Sequence, residues 1–443
     1  MTQEKALEIL KSGRNVFLTG SAGTGKTYVL NQFIEHLRDC KVKVAVTAST
    51  GIAATHMSGK TIHSWAGIGI KQELTQRDLT GLQRKEYLKK SIEKAKVLII
   101  DEISMLHRKQ LETVDQVLCM FKGNKKPFGG MQVVLCGDFF QLPPIGTENE
   151  MSRDKFSFMS TLWGEAEFHP CYLTEQYRQN QDPLADILDA LRNNTIGQKE
   201  LKSLEAASYT KFDEKITPTR LYTHNLDVDA LNEKELDKLE GRNRNFRATS
   251  SGEKALIETL KRSVLAYDKL PLKKGAKVMF VKNSPEKGYI NGSLGEVIDF
   301  ESTGFPKVQL LDGTVIVATP EKWTINDEQG NELAWYNQIP LRLAWAITVH
   351  KSQGMTLDAA EVDLSATFEK GQGYVALSRL RKLDSLKLIG FNQRALQIDG
   401  LAQKADKRFQ ELSLQNELIS SDILNKDRKE FIKASGGRVL KKI

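Results

Sequence analysis

Gly20-Ser21-Ala22-Gly23-Thr24-Gly25-Lys26-Thr27 follows the strand-like run Asn15-Val16-Phe17-Leu18 and opens a helical pattern over 26–38. A G-x-x-x-x-G-K-T octet between a strand and a helix is the context of a phosphate-binding loop. Its small residues let backbone N–H groups turn inward, and the following helix adds the positive end of its dipole. Gly20, Ser21, Ala22, Gly23, Thr24 and Gly25 are therefore expected to cradle the phosphates of ATP, with Lys26 reaching the β- and γ-phosphates. Thr27 offers a hydroxyl to Mg²⁺, an ion that keeps water and substrate phosphates among its ligands.

Outward from this loop, near-continuous apolar runs recur between helical patterns. Val42-Lys43-Val44-Ala45-Val46, Val97-Leu98-Ile99-Ile100 and Gln132-Val133-Val134-Leu135-Cys136 have the composition of strands covered on both faces. Helices are predicted at 3–12, 26–38 and 107–122, so the alternation is that of an α/β, doubly wound lobe over residues 1–178. A polar Gln/Lys-rich stretch at 66–92 is expected to form a small surface subdomain. A second lobe is expected over 179–400. It begins at Asp182-Pro183-Leu184 and includes the strand candidate Thr219-Arg220-Leu221-Tyr222-Thr223. Short strands and the turn dipeptides Asn291-Gly292 and Asp312-Gly313 interrupt it at about 265–337, predicting an inserted antiparallel β-barrel. Strands are again predicted at Ala360-Glu361-Val362-Asp363-Leu364 and 386–390. Residues 401–443, with ten basic and six acidic side chains, are expected to be a polar basic tail.

Two further loops leave strand ends on the ligand-binding edge of the first lobe. Asp101-Glu102 follows Val97–Ile100, placing two carboxylates at the C-terminal edge of the sheet. Asp101 is expected to hold Mg²⁺ and Glu102 to orient and deprotonate an attacking water. Gly137-Asp138-Phe139-Phe140-Gln141-Leu142-Pro143 follows the next strand and places the amide of Gln141 to sense a γ-phosphate. Phe139 and Phe140 are left for packing or for a nucleotide base.

The order of these segments resembles superfamily 1 helicases, and over about residues 3–380 the wording is similar to the PIF-type 5′-to-3′ DNA helicases, in a bacterial or phage form. Thr47-Ala48-Ser49-Thr50-Gly51-Ile52-Ala53-Ala54 and Gly59-Lys60-Thr61-Ile62-His63-Ser64-Trp65 resemble that family's first-lobe DNA-contact segments. Leu173-Thr174-Glu175-Gln176-Tyr177-Arg178 resembles its arginine-finger segment. Thr348-Val349-His350-Lys351-Ser352-Gln353-Gly354-Met355-Thr356 and Gly373-Tyr374-Val375-Ala376-Leu377-Ser378-Arg379 resemble its late motifs. The resemblance implies two RecA-like P-loop NTPase lobes and an ATP-dependent DNA helicase moving 5′ to 3′ on single-stranded DNA. Gln3 would read adenine, Gly354 would belong to the ATP site, and Arg178 and Arg379 would contact the γ-phosphate. Arginine suits that role because its fork is rigid and permanently charged. Thr47, Ser49, Thr50, Thr348, His350, Lys351 and Ser352 would bind DNA phosphates, and His63 and Trp65 would stack on bases. The stretch Glu112–Asn124 lacks the arginines of the family's signature there, so no contact is carried over to it.

Composition agrees with a polyanion-binding enzyme. The chain carries 64 Lys+Arg against 56 Asp+Glu, a formal charge of +8, and 40% hydrophobic residues with no membrane-length apolar run. With no targeting segment seen, a cytoplasmic protein is expected. Cys40, Cys119, Cys136 and Cys171 are too scattered for a metal site and are expected to be reduced thiols. The expected partners are single-stranded, tailed or forked DNA and other structured DNA such as G-quadruplexes, together with replication or repair proteins. The chain is expected to be a monomer without DNA. Two alternatives remain at this point: a RecD-like recombination helicase, and an ATP-gated DNA clamp that does not unwind.

Overall fold

The computed structural model describes residues 1–439 apart from 58, 70, 147–149, 177–181, 214–217, 265, 290, 311 and 327–331. The chain divides into two units, Met1–Gln181 with Ile398–Ile443, and Asp182–Gln397.

Unit 1 is built on a parallel six-stranded sheet. Its strands are β1 (Val16–Gly20), β2 (Val44–Ala48), β3 (Lys60–Thr61), β4 (Val97–Asp101), β5 (Gln132–Cys136) and β6 (His169–Leu173), in the order β3-β2-β4-β5-β1-β6. Every residue of β1, β4 and β5 is buried, which explains why those strands are nearly continuous apolar text. Alternation assigns their side chains to two cores. Val16, Leu18, Val97, Ile99 and Val134 face α1 (Gln3–Lys11) and α2 (Lys26–Asp39), meeting Ile9, Leu10, Leu30 and Phe33. Phe17, Leu98, Ile100, Val133 and Leu135 face the other way, toward Leu111, Val114 and Leu118 of the helix Arg108–Lys122. Around Phe17 the rings of Phe139, Trp163 and Phe409 close in at centroid distances of 5.4, 5.2 and 4.8 Å.

Two sequence expectations change in unit 1. The stretch at 66–92 contains the helices Gln76–Gln83 and Glu86–Lys94, and their Leu79, Leu82, Leu88 and Ile92 are buried in the Phe17 core. This segment is amphipathic and belongs to the lobe's core. The expected tail is likewise ordered, as the helices Gly400–Glu417 and Ser421–Ala434, which belong to unit 1. Phe409 enters one core, while Leu424 and Ile432 enter the other. The first of these helices also seals the outer edge of β6. The Tyr172 N–H donates to Ser413 Oγ at 2.9 Å, and Asn416 Nδ2 donates to the Pro170 carbonyl at 3.0 Å. Side chains thereby occupy backbone groups that an edge strand otherwise leaves open. Arg14 pairs with Asp427 at 2.7 Å, fastening the second helix.

In unit 2, β7 (Thr219–Tyr222) is followed by ten antiparallel strands among the described residues. These are β8 (Arg244–Arg247), β9 (Thr249–Gly252), β10 (Lys269–Leu272), β11 (Lys277–Phe280), β12 (Leu294–Phe300), β13 (Pro306–Leu310), β14 (Val315–Val317), β15 (Glu321–Asn326), β16 (Glu332–Gln338) and β17 (Leu341–Leu343). A parallel sheet then resumes with β18 (Ala346–Thr348), β19 (Ala360–Leu364) and β20 (Leu386–Phe391), in the order β18-β7-β19-β20. The antiparallel region starts earlier than the predicted 265, and its pairings form three sheets of five, three and two strands. Among the described residues no pairing joins β14 to β17, so the pairings do not close the expected barrel; the five- and two-stranded sheets share a core containing Leu270, Val278, Phe280, Val297 and Leu341. The Asp312-Gly313 turn forms as predicted, with Gly313 at φ +86° and Asp312 Oδ1 accepting from the Thr314 N–H at 2.9 Å.

All four cysteines are free thiols, with Cys119 partly exposed and the others buried. Among the described residues no helix is long and apolar enough to cross a membrane.

Candidate nucleotide site and nucleic-acid interface

The octet lies between the end of β1 and the start of α2, and its backbone takes a form that only glycine adopts without strain. Gly20 and Gly25 have φ +142° and +82°. A Cβ on Gly20 would stand 2.6 Å from the Leu173 carbonyl oxygen, and one on Gly25 would stand 2.1 Å from Gln3 Nε2. Within the loop, Thr24 Oγ1 donates to the Ser21 carbonyl at 2.9 Å. Lys26 Nζ donates to the Gly20 and Ser21 carbonyls at 2.8 and 2.9 Å, so its ammonium is folded over the loop. Thr27 is exposed at the helix start. Gln3, reached from the preceding helix, donates through Nε2 to the Thr24 carbonyl at 3.0 Å and braces the loop from behind.

Asp101 ends β4 with its side chain buried. Burial pushes its pKa up. The Cys136 thiol, the Glu102 N–H (2.9 Å to Oδ1) and the positive charge of Lys26 pull it back. Glu102 stands in the left-handed region at φ 52°, ψ 47°, unusual for a residue with a side chain. The Ser49 hydroxyl donates to the Glu102 carbonyl at 2.6 Å and the Ser49 N–H to the Asp101 carbonyl at 3.0 Å, so the end of β2 holds the end of β4. Gln141, beyond β5, is buried with its N–H on the Asp138 carbonyl at 3.0 Å. Its Oε1 has no partner among the described residues. Gln176, absent from the candidates drawn from the motifs, donates to the Ser21 hydroxyl and so touches the phosphate loop from the segment after β6. Arg178 lies outside the described residues.

The DNA-contact candidates separate into two groups. Thr47 is buried with its hydroxyl donating to the Ile99 carbonyl at 2.6 Å, and Ser352 is buried with its hydroxyl on the Val349 carbonyl at 2.8 Å. Thr348 is buried and caps the helix Val349–Ser352 by accepting from the Lys351 N–H at 3.3 Å. These hydroxyls, like that of Ser49, already have partners inside their own unit, so they position loops. Trp65 is also a correction: it lies in the Phe17 core at 8% exposure rather than presenting a face to a base. Trp65→Ala is expected to lower unfolding stability by about 3–5 kcal/mol, measured by denaturant titration. A loss under about 1 kcal/mol would contradict the core assignment. Thr50, His63, His350 and Lys351 keep partial exposure. Burial lowers the pKa of His63, and burial with the neighbouring His224 lowers that of His350.

In unit 2 the two late motifs are hydrogen-bonded together through Arg379. Its buried guanidinium donates to the Val375 carbonyl at 2.9 Å, the Met355 carbonyl at 3.2 Å and the Ser378 hydroxyl at 2.8 Å. Gly354, next to Met355, is exposed at φ +79°. The helix Gln372–Leu377 sits so close to its neighbour that a Cβ on Gly373 would fall 2.0 Å from the Ala395 carbonyl oxygen.

A parallel sheet whose first strand runs into a glycine-turned loop and a lysine-headed helix, with carboxylates at the end of β4, defines a P-loop nucleotide-binding lobe. The profile of the PIF1-like helicase family matches residues 2–194, and that of the DNA helicase Pif1 2B domain matches 255–300. The chain is 49% identical over 503 aligned positions to the ATP-dependent DNA helicase Pif1 of Psychrobacter sp. (strain PRwf-1), an alignment covering 100% of this chain and 76% of that protein. The crystal structure of Pif1 helicase from Candida albicans superimposes with a TM-score of 0.78 at 35% identity, covering 92% of this chain and 98% of that one. Pif1 helicase from Bacteroides in complex with ADP-AlF3 and single-stranded DNA gives 0.69 at 32%, covering 92% and 96%. The chain spans 61–67% of the length of the animal relatives it matches. It belongs to the PIF1-like helicase family and is an ATP-dependent DNA helicase.

Proposed function

We propose that this helicase binds ATP in the loop of unit 1 and uses its hydrolysis to move 5′ to 3′ along single-stranded DNA. It thereby opens tailed or forked duplexes and structured DNA such as G-quadruplexes during replication, repair and genome maintenance. The observation that carries the ATP half is the Lys26 ammonium held over the loop by the Gly20 and Ser21 carbonyls, where an arriving phosphate exchanges neutral acceptors for an anionic one. Lys26 neutralises the terminal phosphates, while Glu102 takes the proton of the attacking water. The unpartnered Oε1 of Gln141 accepts a hydrogen bond from that water. Gln3 braces the loop through Nε2 and reads adenine. Arg178, Arg379 and Gly354 complete the nucleotide's surroundings by resemblance to the family.

The residues present also fit Mg²⁺. Thr27 and Asp101 supply hard oxygen donors, and this ion needs only one or two from protein when ATP supplies the rest. No cluster of three or more His, Cys, Asp or Glu that could form a protein cage occurs among the described residues. Bound there, the ion offsets phosphate charge.

The track is assigned to Thr50, His63, His350 and Lys351, with backbone N–H groups of the loops that Thr47, Ser49, Thr348 and Ser352 hold in place. The Bacteroides relative, solved with ADP-AlF3 and single-stranded DNA, supports a single strand as that track. Two assays on one preparation test the proposal. ATPase activity is expected to rise at least about tenfold with single-stranded DNA, and a duplex with a 5′ tail should be unwound while one with a 3′ tail stays annealed. Unstimulated ATPase would end the motor reading. A 5′-tailed duplex that binds but never opens would instead identify an ATP-gated clamp.

A further inference from the structure

Three neighbouring strands of unit 2 each deliver an aromatic side chain to the same edge of their sheet. β18, β7 and β19 lie side by side and parallel, so their C-terminal ends share one edge. His350 follows β18, His224 follows β7 and Phe368 follows β19. The Phe368 ring centroid is 4.9 Å from that of His224 and 6.2 Å from that of His350, with the latter pair within 15° of parallel. Phe368 nevertheless remains 46% exposed.

The backbone beneath this ring is held from several sides. Gln372 Oε1 accepts from the Phe368 and Glu369 N–H groups at 3.2 and 3.4 Å, and Arg394 Nη1 donates to the Phe368 carbonyl at 2.8 Å. Asn392 Nδ2 donates to the Ser365 and Thr367 carbonyls at 3.0 and 2.8 Å. Thr223 Oγ1 lies 2.9 Å from His224 Nδ1 and donates to the Ala366 carbonyl at 3.2 Å, tying the loop after β7 to the loop after β19. A phenylalanine on a surface loop requires no such bracing. Here the backbone that carries the ring is held at the edge where open α/β sheets bind ligands.

We propose that Phe368, flanked by His224 and His350, is a stacking platform for an unpaired nucleobase of the bound strand. Every base has a π-face, so the platform grips without reading sequence, and a base inside a duplex cannot offer its face. The inference rests on the single-strand translocation reading and adds to it a contact to a base from the second unit, beside the residues there assigned to phosphate.

The test compares binding of the whole chain to labelled oligo-dT and to an abasic strand of equal length. Phe368→Ala is expected to weaken oligo-dT binding about tenfold while changing abasic binding by less than about twofold. Phe368→Trp should keep oligo-dT affinity, and its indole fluorescence should be quenched by oligo-dT but not by the abasic strand. Equal oligo-dT affinity in parent and Phe368→Ala, or an equal loss on both strands, overturns the platform. If Phe368→Ala does not fold, the tryptophan variant decides, since an indole that oligo-dT leaves unquenched also overturns it. A parent chain that binds neither strand sinks the translocation reading itself, an outcome separate from a failure of Phe368 alone.

Discussion

Lys26→Ala is expected to lower ATP turnover about 10³-fold, to near background. The side chain is a point charge delivered to the loop by the first turn of α2, and in the structure it already spans the Gly20 and Ser21 carbonyls. Its removal deletes the positive side chain folded over the phosphate cradle and leaves those carbonyls to water, while the glycine-built backbone keeps its form. Nucleotide affinity should therefore fall less than turnover does, because the N–H groups and the helix dipole persist. Lys26→Met keeps the aliphatic stem and should lose turnover equally. Steady-state ATPase with saturating single-stranded DNA checks both variants, and turnover within about tenfold of the parent would remove Lys26 from its role.

Arg379→Ala is expected to slow hydrolysis by about 10³-fold or more while nucleotide binding changes little, the pattern of a group acting chiefly on transition-state charge. The family resemblance assigns this arginine to the terminal phosphate. In the structure its donors rest on Val375, Met355 and Ser378, so engaging a phosphate exchanges internal acceptors for an anion. Those partners also make the alanine variant liable to loosen the loop around Met355. Arg379→Lys separates the two effects, since it keeps a cation but lacks the fork that can hold several acceptors at once. Single-turnover hydrolysis beside fluorescent-nucleotide binding checks the assignment. Parent-like hydrolysis in Arg379→Ala would end it, and an equal loss of binding and hydrolysis would mark a folding defect instead.

Local sequence carried the phosphate loop because its chemistry is local: three glycines, a lysine and a threonine act within eight positions of one another. The buried strands β1, β4 and β5 were legible for a similar reason, each being a run of apolar residues covered on both faces. β6 was not, because His169 and Pro170 interrupt the pattern. Proline is tolerated there because β6 is an edge strand. The packing of the C-terminal helices against the first lobe was hidden by their polarity, since few of their side chains are buried and the partners of these are far away in the sequence. Antiparallel strands could be expected in the second lobe from turn dipeptides, but which strand pairs with which is a long-range property, and among the described residues the pairings form three sheets without closing a barrel.

The site shows the same division. Family wording marks Thr47 and Ser352 as members of DNA-contact segments, yet only the hydrogen bonds to Ile99 and Val349 reveal that their hydroxyls point inward. Trp65 is equally ambiguous in text and unambiguous in the Phe17 core. Gln176 belongs to the segment resembling the arginine-finger motif, and only its contact with Ser21 gives it a place at the phosphate loop. His224 and Phe368 carry no motif, and only the strand order β18-β7-β19 brings their rings to one edge.

The seal on β6 has a consequence for biosynthesis. Tyr172 waits for Ser413, which lies 241 positions later, so the ribosome must add all of unit 2 before the first lobe's outermost strand meets its cover. At 5–20 residues per second, roughly 10–50 s pass in which a nascent β-edge can recruit another chain. Translation halted at Gln397 should yield self-associating product, detectable by light scattering, and a monodisperse fragment would show that the C-terminal helices are dispensable for this protection.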